Sequence, residues 1–106
     1  MKIYNDLYQF TQNLSFMNFT IHQYLLLTEE PVLICTGTYQ QAELILPEIK
    51  KILGDKRLKY ILIPHIESDE CGGLAVFVKE FPDAIIVCSQ IGARELPGFG
   101  YECRVI

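Results

Sequence analysis

The residues best suited to chemistry lie together at positions 65–70, His-Ile-Glu-Ser-Asp-Glu, directly after a short apolar segment. His65, Glu67 and Asp69 occupy alternate positions, and alternate side chains of an extended segment point to one side. One imidazole and two carboxylates form a nitrogen–oxygen donor set that suits iron, manganese or zinc better than metals that prefer thiolates. This segment, called the ligand run below, therefore predicts a metal site.

The alternative interpretation of the ligand run is a polar surface loop, with its acidic groups in water and His65 next to the strand end. Random placement of the histidines, glutamates and aspartates of this chain would produce H-x-E-x-D about 0.006 times per chain. Chance is therefore a weak explanation of the pattern. Other chemistry has less support, because Ser68 has no paired base and the chain contains no G-x-G-x-x-G motif.

The elements before the ligand run are predicted from apolar periodicity. Residues 18–27 and 32–35 are rich in β-branched and aromatic or apolar residues, and a Glu-Glu-Pro turn separates them, so they predict a hairpin. A stripe of apolar residues predicts a helix over 41–53, with Gly54 as its C-cap. Pro47 either bends this helix or lies in the first turn of a shorter one.

The elements around and after the ligand run indicate an α/β fold. Short apolar segments predict buried strands at 60–63 and 84–88, and a helix at 73–81 lies between them. Helical crossovers between buried strands favour parallel pairing. The ligand run then follows the carboxyl end of a strand, where such sheets place their sites. After residue 88 we expect a short helix, a turn at 97–100 and a last strand at 101–106.

Composition bounds the class of protein. The 106 residues suffice for a single domain, half of them are apolar, and the mean hydropathy is +0.21. That is apolar for a small domain, and it predicts a face that packs against something else. No apolar run approaches the ~20 residues that span a bilayer, and a net charge of −4 without a basic cluster argues against nucleic acid. Residues 1–20 have no signal-peptide pattern, so a cytoplasmic protein is expected. In such a protein the four widely spaced cysteines, which form no C-x-x-C motif, are expected to be reduced thiols.

The sequence HIESDECGG resembles the H-x-E-x-D signature of the di-iron branch of the metallo-β-lactamase fold, where Glu67 replaces the second histidine of the zinc hydrolases. The hairpin TIHQYLLLTEEPVLICTGT is similar to the N-x-Y-L and L-I-D-T-G segments of that family, with Cys35 in the place of the aspartate. The similarity runs from residue 18 to about residue 92. It implies an α/β fold, the N-terminal lobe of an αββα sandwich with a mixed sheet and flanking helices. Residues 1–106 would be one domain, the first half of a larger one.

The resemblance also implies ligands and partners. His65 and Glu67 would bind one iron and Asp69 a second, while Glu70 would be a ligand, a nearby hydrogen-bond acceptor or neither. Two iron ions are preferred, and zinc or manganese are the alternatives. The other histidine, His22, is expected to be structural or at the surface, so the remaining ligands would come from elsewhere. The implied partner is a second copy of the chain or a complementing second half-domain.

Three functions follow as expectations. In its complete form the protein would bind O2 or NO at two iron ions, for sensing or for reduction, and sensing is preferred because reduction requires an electron-delivering flavin domain. Whether it is an enzyme stays open; if so, it would be an oxidoreductase that reduces oxygen or nitric oxide. The alternatives are a zinc-dependent hydrolase and a metal-free structural or interaction half-domain.

Overall fold

The computed structural model describes residues 1–14, 19–64, 72–88 and 103–105. The elements in this part of the chain alternate between strands and helices after an all-strand start. In chain order they are β1 Lys2–Tyr4, β2 Leu7–Leu14, β3 Phe19–Leu26, β4 Val32–Ile34, α1 Tyr39–Leu53, β5 Tyr60–Ile63, α2 Leu74–Glu80, β6 Ile85–Cys88 and β7 Cys103–Val105.

The described strands form one mixed sheet in which they follow each other in chain order. β1 to β4 pair antiparallel, and β3 aligns with β4 through pairs such as Tyr24 with Ile34, which confirms the predicted hairpin. β4 pairs parallel with β5, and β5 with β6, as the helical crossovers predict. β7 also pairs parallel with β6. Parallel pairing brings the carboxyl ends of β4, β5 and β6 to the same edge of the sheet.

The two helices in the described part of the chain pack on one face of the sheet. Alternate strand residues are buried against them, including Leu25, Leu33 and Ile61, each with no exposed surface. The helices contribute Ile49 and Phe77 to the same core. Side chains of opposite parity form what we call the far face. Its apolar members are half-buried: Tyr24, Leu26, Val32, Ile34, Tyr60, Leu62, Ile85 and Val87.

Helix α1 begins two residues before the predicted start, because Thr38 caps it. The Thr38 hydroxyl accepts a hydrogen bond from the Gln41 N–H at 3.2 Å, which satisfies one of the free amide groups of the first turn. Pro47 lies inside the helix, and Gly54 ends it with a φ of 59° and an N–H bond to the Lys50 carbonyl, as predicted.

Helix α2 and the last strands agree with their predicted positions. α2 lies between Gly73 and Phe81, β6 occupies residues 85–88, and β7 falls within the predicted strand at 101–106. The short helix and the turn expected after residue 88 lie outside the described residues. No helix in the described part of the chain is long and apolar enough to span a membrane.

Candidate metal centre

The ligand run belongs to the connection between β5 and α2. Its candidate ligands His65, Glu67, Asp69 and Glu70 lie outside the described residues, and so does Cys71. Within the ranges that the structure does describe, no three His, Cys, Asp or Glu side chains lie close enough together to hold a metal ion. The described chain ends at Pro64 before the run and resumes at Gly72 after it. The hydrogen bonds of residues next to these two positions show what holds the chain on each side of the run.

Both flanks of the ligand run are held by one segment, residues 35–38, which connects β4 to α1 and is called the anchor segment below. On the upstream side, the Cys35 N–H donates to the Leu62 carbonyl at 2.9 Å. On the downstream side, the Gly73 N–H donates to the Gly37 carbonyl at 3.0 Å and to the Thr36 hydroxyl at 3.0 Å. A chain that leaves β5 for the ligand run therefore returns to the same few residues.

The anchor segment has little freedom of its own. Thr36 is fully buried, and its hydroxyl donates to the Gly37 carbonyl at 3.0 Å. Cys35 has a positive φ of 64°, a region that a residue with a Cβ atom adopts at a cost, whereas the φ of 73° at Gly37 is one that glycine adopts readily. Strained backbone of this kind persists where the surrounding contacts determine it. The contacts of this segment with Leu62 and Gly73 are such contacts.

Gly73 permits a close approach between the anchor segment and α2. A Cβ atom at this position would collide with the Cβ atom of Ala42 and would lie 3.0 Å from the Thr38 carbonyl oxygen. Glycine is therefore required here by the space available. Gly73 thus has a packing role that the sequence pattern does not reveal.

Hydrogen bonds between polar side chains continue from the anchor segment, half-buried at Thr38 and Gln12, into the core at Gln41 and Gln23. Thr38 donates to the Gln12 side chain at 3.1 Å, and the Gln41 Nε2 donates to the Gln23 Oε1 at 2.9 Å. Gln23 is fully buried and Gln41 is 5% exposed. The Gln23 Nε2 has no hydrogen-bond partner in the described part of the chain, and an unsatisfied buried donor costs about 1–3 kcal/mol.

Gln23, Gln41 and Thr36 are not among the functional residues predicted from the sequence. A signal for Gln23 was available, since it is a polar residue on the strand parity that also carries Ile21 and Leu25, both buried. No comparable signal marked Thr36, because its role depends on Gly73, which is 37 residues away in the chain.

His22 lies on the far side of β3 from Gln23. It is exposed, and its Nδ1 lies 2.9 Å from both the Gln9 Nε2 and the Thr11 hydroxyl. The prediction of a structural or surface role for His22 agrees with this position.

Comparison with known proteins places these features in context. No family model matches the chain. A nitric oxide reductase from Moorella thermoacetica is 28% identical over 71 residues, which are 67% of this chain and 18% of that protein. A variant of the flavo di-iron protein from Thermotoga maritima superposes with a TM-score of 0.77 at 25% identity, over 94% of this chain and 28% of that one. A metallo-β-lactamase from Pontibacter korlensis superposes with a TM-score of 0.77 at 22% identity, over 98% and 49%.

These matches cover only part of each relative. The chain spans less than a fifth of the length of the curated relatives that it matches. The agreement in fold nevertheless extends over almost the whole chain. The relatives with similar sequences are named as diflavin flavoproteins and a nitric oxide reductase. The resemblance predicted from the sequence is confirmed: this chain has the fold of the metallo-β-lactamases and resembles flavodiiron proteins over a part of their length.

Proposed function

We propose that this chain is one lobe of a di-iron protein of the metallo-β-lactamase fold, which in its complete form binds O2 or NO for sensing or for reduction. The observation that carries the proposal is the position of the H-x-E-x-D run at the carboxyl end of a buried parallel strand, between two flanks that one strained segment holds. Names of the relatives that match in sequence or structure, a nitric oxide reductase and a flavo di-iron protein, support the same function.

In this proposal His65 and Glu67 bind one iron, Asp69 binds the second, and Glu70 either joins them or supports them by hydrogen bonding. The donor set fits iron, because imidazole and carboxylate are ligands that it favours. The described surroundings fit such a centre as well, since a buried amide donor without a partner, on Gln23, lies next to the anchor segment. When bound, iron with an open coordination position supplies the capacity to bind a diatomic gas.

The proposed centre needs further ligands, so a partner is part of the proposal. The far face is apolar, and the two described helices lie on the other side of the sheet. The superposed metallo-β-lactamase matches this chain over 49% of its own length, so about half of that protein remains to form a second lobe. We propose that a complementing lobe or a second copy of this chain covers the far face and completes the site, in the cytoplasm.

The first experiment measures iron and zinc per chain after anaerobic purification. Three proteins are compared: the unaltered chain, the double variant His65→Ala/Glu67→Ala, and the control His22→Ala/Glu29→Ala. The control removes one histidine and one glutamate from exposed positions outside the ligand run. We expect near-stoichiometric iron in the unaltered chain and in the control, and a loss of at least tenfold in the ligand variant.

The other outcomes separate the alternatives. Zinc in place of iron, lost in the same variant, would favour the hydrolase. Iron that persists in the ligand variant would exclude the proposed ligands. Absence of metal from all three proteins would favour a scaffold lobe whose chemistry lies in its partner. Optical spectra recorded before and after exposure of the iron-containing protein to NO would then test gas binding directly.

A further inference from the structure

The far face carries no charged residue across strands β2 to β6. Its positions in these strands hold no Asp, Glu, Lys or Arg, although 21% of the chain is charged. Arg104, on the edge strand β7, pairs in register with Val87 and so borders this face. A centre without charge, with tyrosines such as Tyr24 and Tyr60, is typical of the surface that a protein interface buries.

The polar part of the far face is already bonded within the chain. The His22 Nδ1 lies 2.9 Å from the Gln9 Nε2 and 2.9 Å from the Thr11 hydroxyl. Thr11 stands directly opposite His22 in the pairing of β2 with β3. Burial of polar groups costs less free energy when they keep hydrogen bonds of their own. A partner can therefore cover this part of the face without supplying every bond.

The size of the far face predicts how strongly a partner would bind. Five strands at a spacing of ~4.8 Å make it about 24 Å wide, and the strands are about 10 to 27 Å long. Its plan area is then about 430 Å², and its accessible area is larger because side chains project from the plane. This places it at the low end of specific interfaces, which bury ~600–800 Å² on each partner. We expect a dissociation constant on the order of micromolar.

We propose that a second copy of this chain covers the far face, so that two chains form a symmetric sandwich with the sheets inside and the helices outside. The proposal rests on the proposed function, which requires a partner, and it names that partner. A face without charge meets its own copy without like-charge repulsion, and it offers no charge pattern that would select a different protein.

The dimensions of the chain support the same occupant. Three superposed metallo-β-lactamases match this chain over 46%, 49% and 50% of their own lengths, so each is about twice as long. The shortest extent of the chain is 22 Å, which is close to the thickness of one sheet with one layer of helices. Two copies packed face to face would supply both the length and the layers of such a protein.

The first test is the mass of the metal-free chain by sedimentation equilibrium, over concentrations that span the micromolar range. We expect the mass to rise from 12.2 kDa to twice that value as the concentration increases. A mass that stays at 12.2 kDa throughout would overturn the proposal.

A charge swap on β4 then tests whether the far face meets its own copy. β4 is the middle strand of β2 to β6, so two-fold packing places it opposite the β4 of the partner. Val32→Lys and Val32→Glu are each expected to weaken association at least about tenfold, because like charges would be buried together. Their equimolar mixture should recover dimers, since each lysine then meets a glutamate. Ala75→Lys and Ala75→Glu, exposed on α2, are the matched controls and should associate like the unaltered chain.

The contrary results are distinct. A mixture no more dimeric than its two components would exclude two-fold packing through β4, and full association of Val32→Lys would place the interface on another surface. Far-UV circular dichroism verifies that the variants are folded. If they are not, the mass of the unaltered chain still decides, because it needs no variant.

Metal-free samples separate this inference from the proposed function. Dimers that bind no iron would support the second copy and would contradict the di-iron function alone. Monomers that bind iron would overturn the second copy and leave the di-iron function in place.

Discussion

At the scale of single residues, two hydrogen-bond acceptors and one glycine hold the chain next to the proposed metal centre. Thr36 and Gly37 accept the Gly73 N–H, and Gly73 has no room for a Cβ atom beside Ala42. The two hydrogen bonds and the close packing act on the same residue. The return of the chain from the ligand run is therefore determined by contacts that need glycine at position 73.

Substitution of Gly73 tests this close packing. Gly73→Ala should lower the free energy of unfolding by about 1–3 kcal/mol, because the new methyl group collides with Ala42 and forces the two elements apart. Urea unfolding measures the change. Ala42→Gly alone should cost about 1 kcal/mol through helix propensity, yet it should recover stability when added to Gly73→Ala. If the two losses simply add, the contact is not tight.

At the scale of elements, α1 combines a stripe of buried apolar residues with a proline that disfavours the helical conformation. Its residues Ala42, Ile45, Ile49 and Leu53 are buried at helical spacing, which explains why the helix was predictable. Pro47 lies on the exposed side of the same helix. It has no N–H to donate to the carbonyl four residues earlier, so packing stabilises a helix that local preference opposes.

Replacement of Pro47 should stabilise the protein. Pro47→Ala restores a helical hydrogen bond at an exposed site and should raise the free energy of unfolding by about 1–3 kcal/mol. Glu48→Ala, at the next exposed position, serves as the control and should change stability by less than about 0.5 kcal/mol. The midpoint of urea unfolding measures both effects. A lower midpoint for Pro47→Ala would show that α1 needs the proline.

At the scale of the whole molecule, the far face is the feature that connects fold to function. A sheet with helices on one side and apolar side chains on the other needs a second layer to bury those side chains. The need for a second layer agrees with the apolar composition of the chain. It also agrees with matches that extend over half or less of the superposed metallo-β-lactamases. The lobe that covers this face would also supply the ligands that complete the proposed centre.

A charged residue on the far face should prevent that association. Ile85→Lys lies near the amino end of β6, away from the ligand run, and should abolish binding to the second lobe or copy because it buries a charge without a partner. Ala75→Lys, exposed on α2, is the control and should leave binding unchanged. Light scattering coupled to size-exclusion chromatography gives the masses. Unaltered association of Ile85→Lys would place the interface elsewhere.

The sequence by itself determined most of the elements and the chemical character of the ligand run, because both are local properties. Apolar periodicity, the Gly54 cap and the β-rich hairpin depend on neighbours in the chain, and they predicted α1, β5, α2 and β6 to within two residues. Resemblance in the H-x-E-x-D motif likewise depends on spacing within six residues, although its ligand roles remain a prediction.

Only the tertiary structure decided which distant residues meet. The bond from Gly73 to Thr36 and the pairing of Gln23 with Gln41 join positions 37 and 18 residues apart. Such contacts produce no periodic pattern in the sequence. They arise when parallel strands bring their carboxyl ends to one edge of the sheet and a helix packs across them. The types of the candidate ligands can thus be read from the sequence. The contacts of the anchor segment and the unpartnered donor of Gln23 arise only when the chain folds.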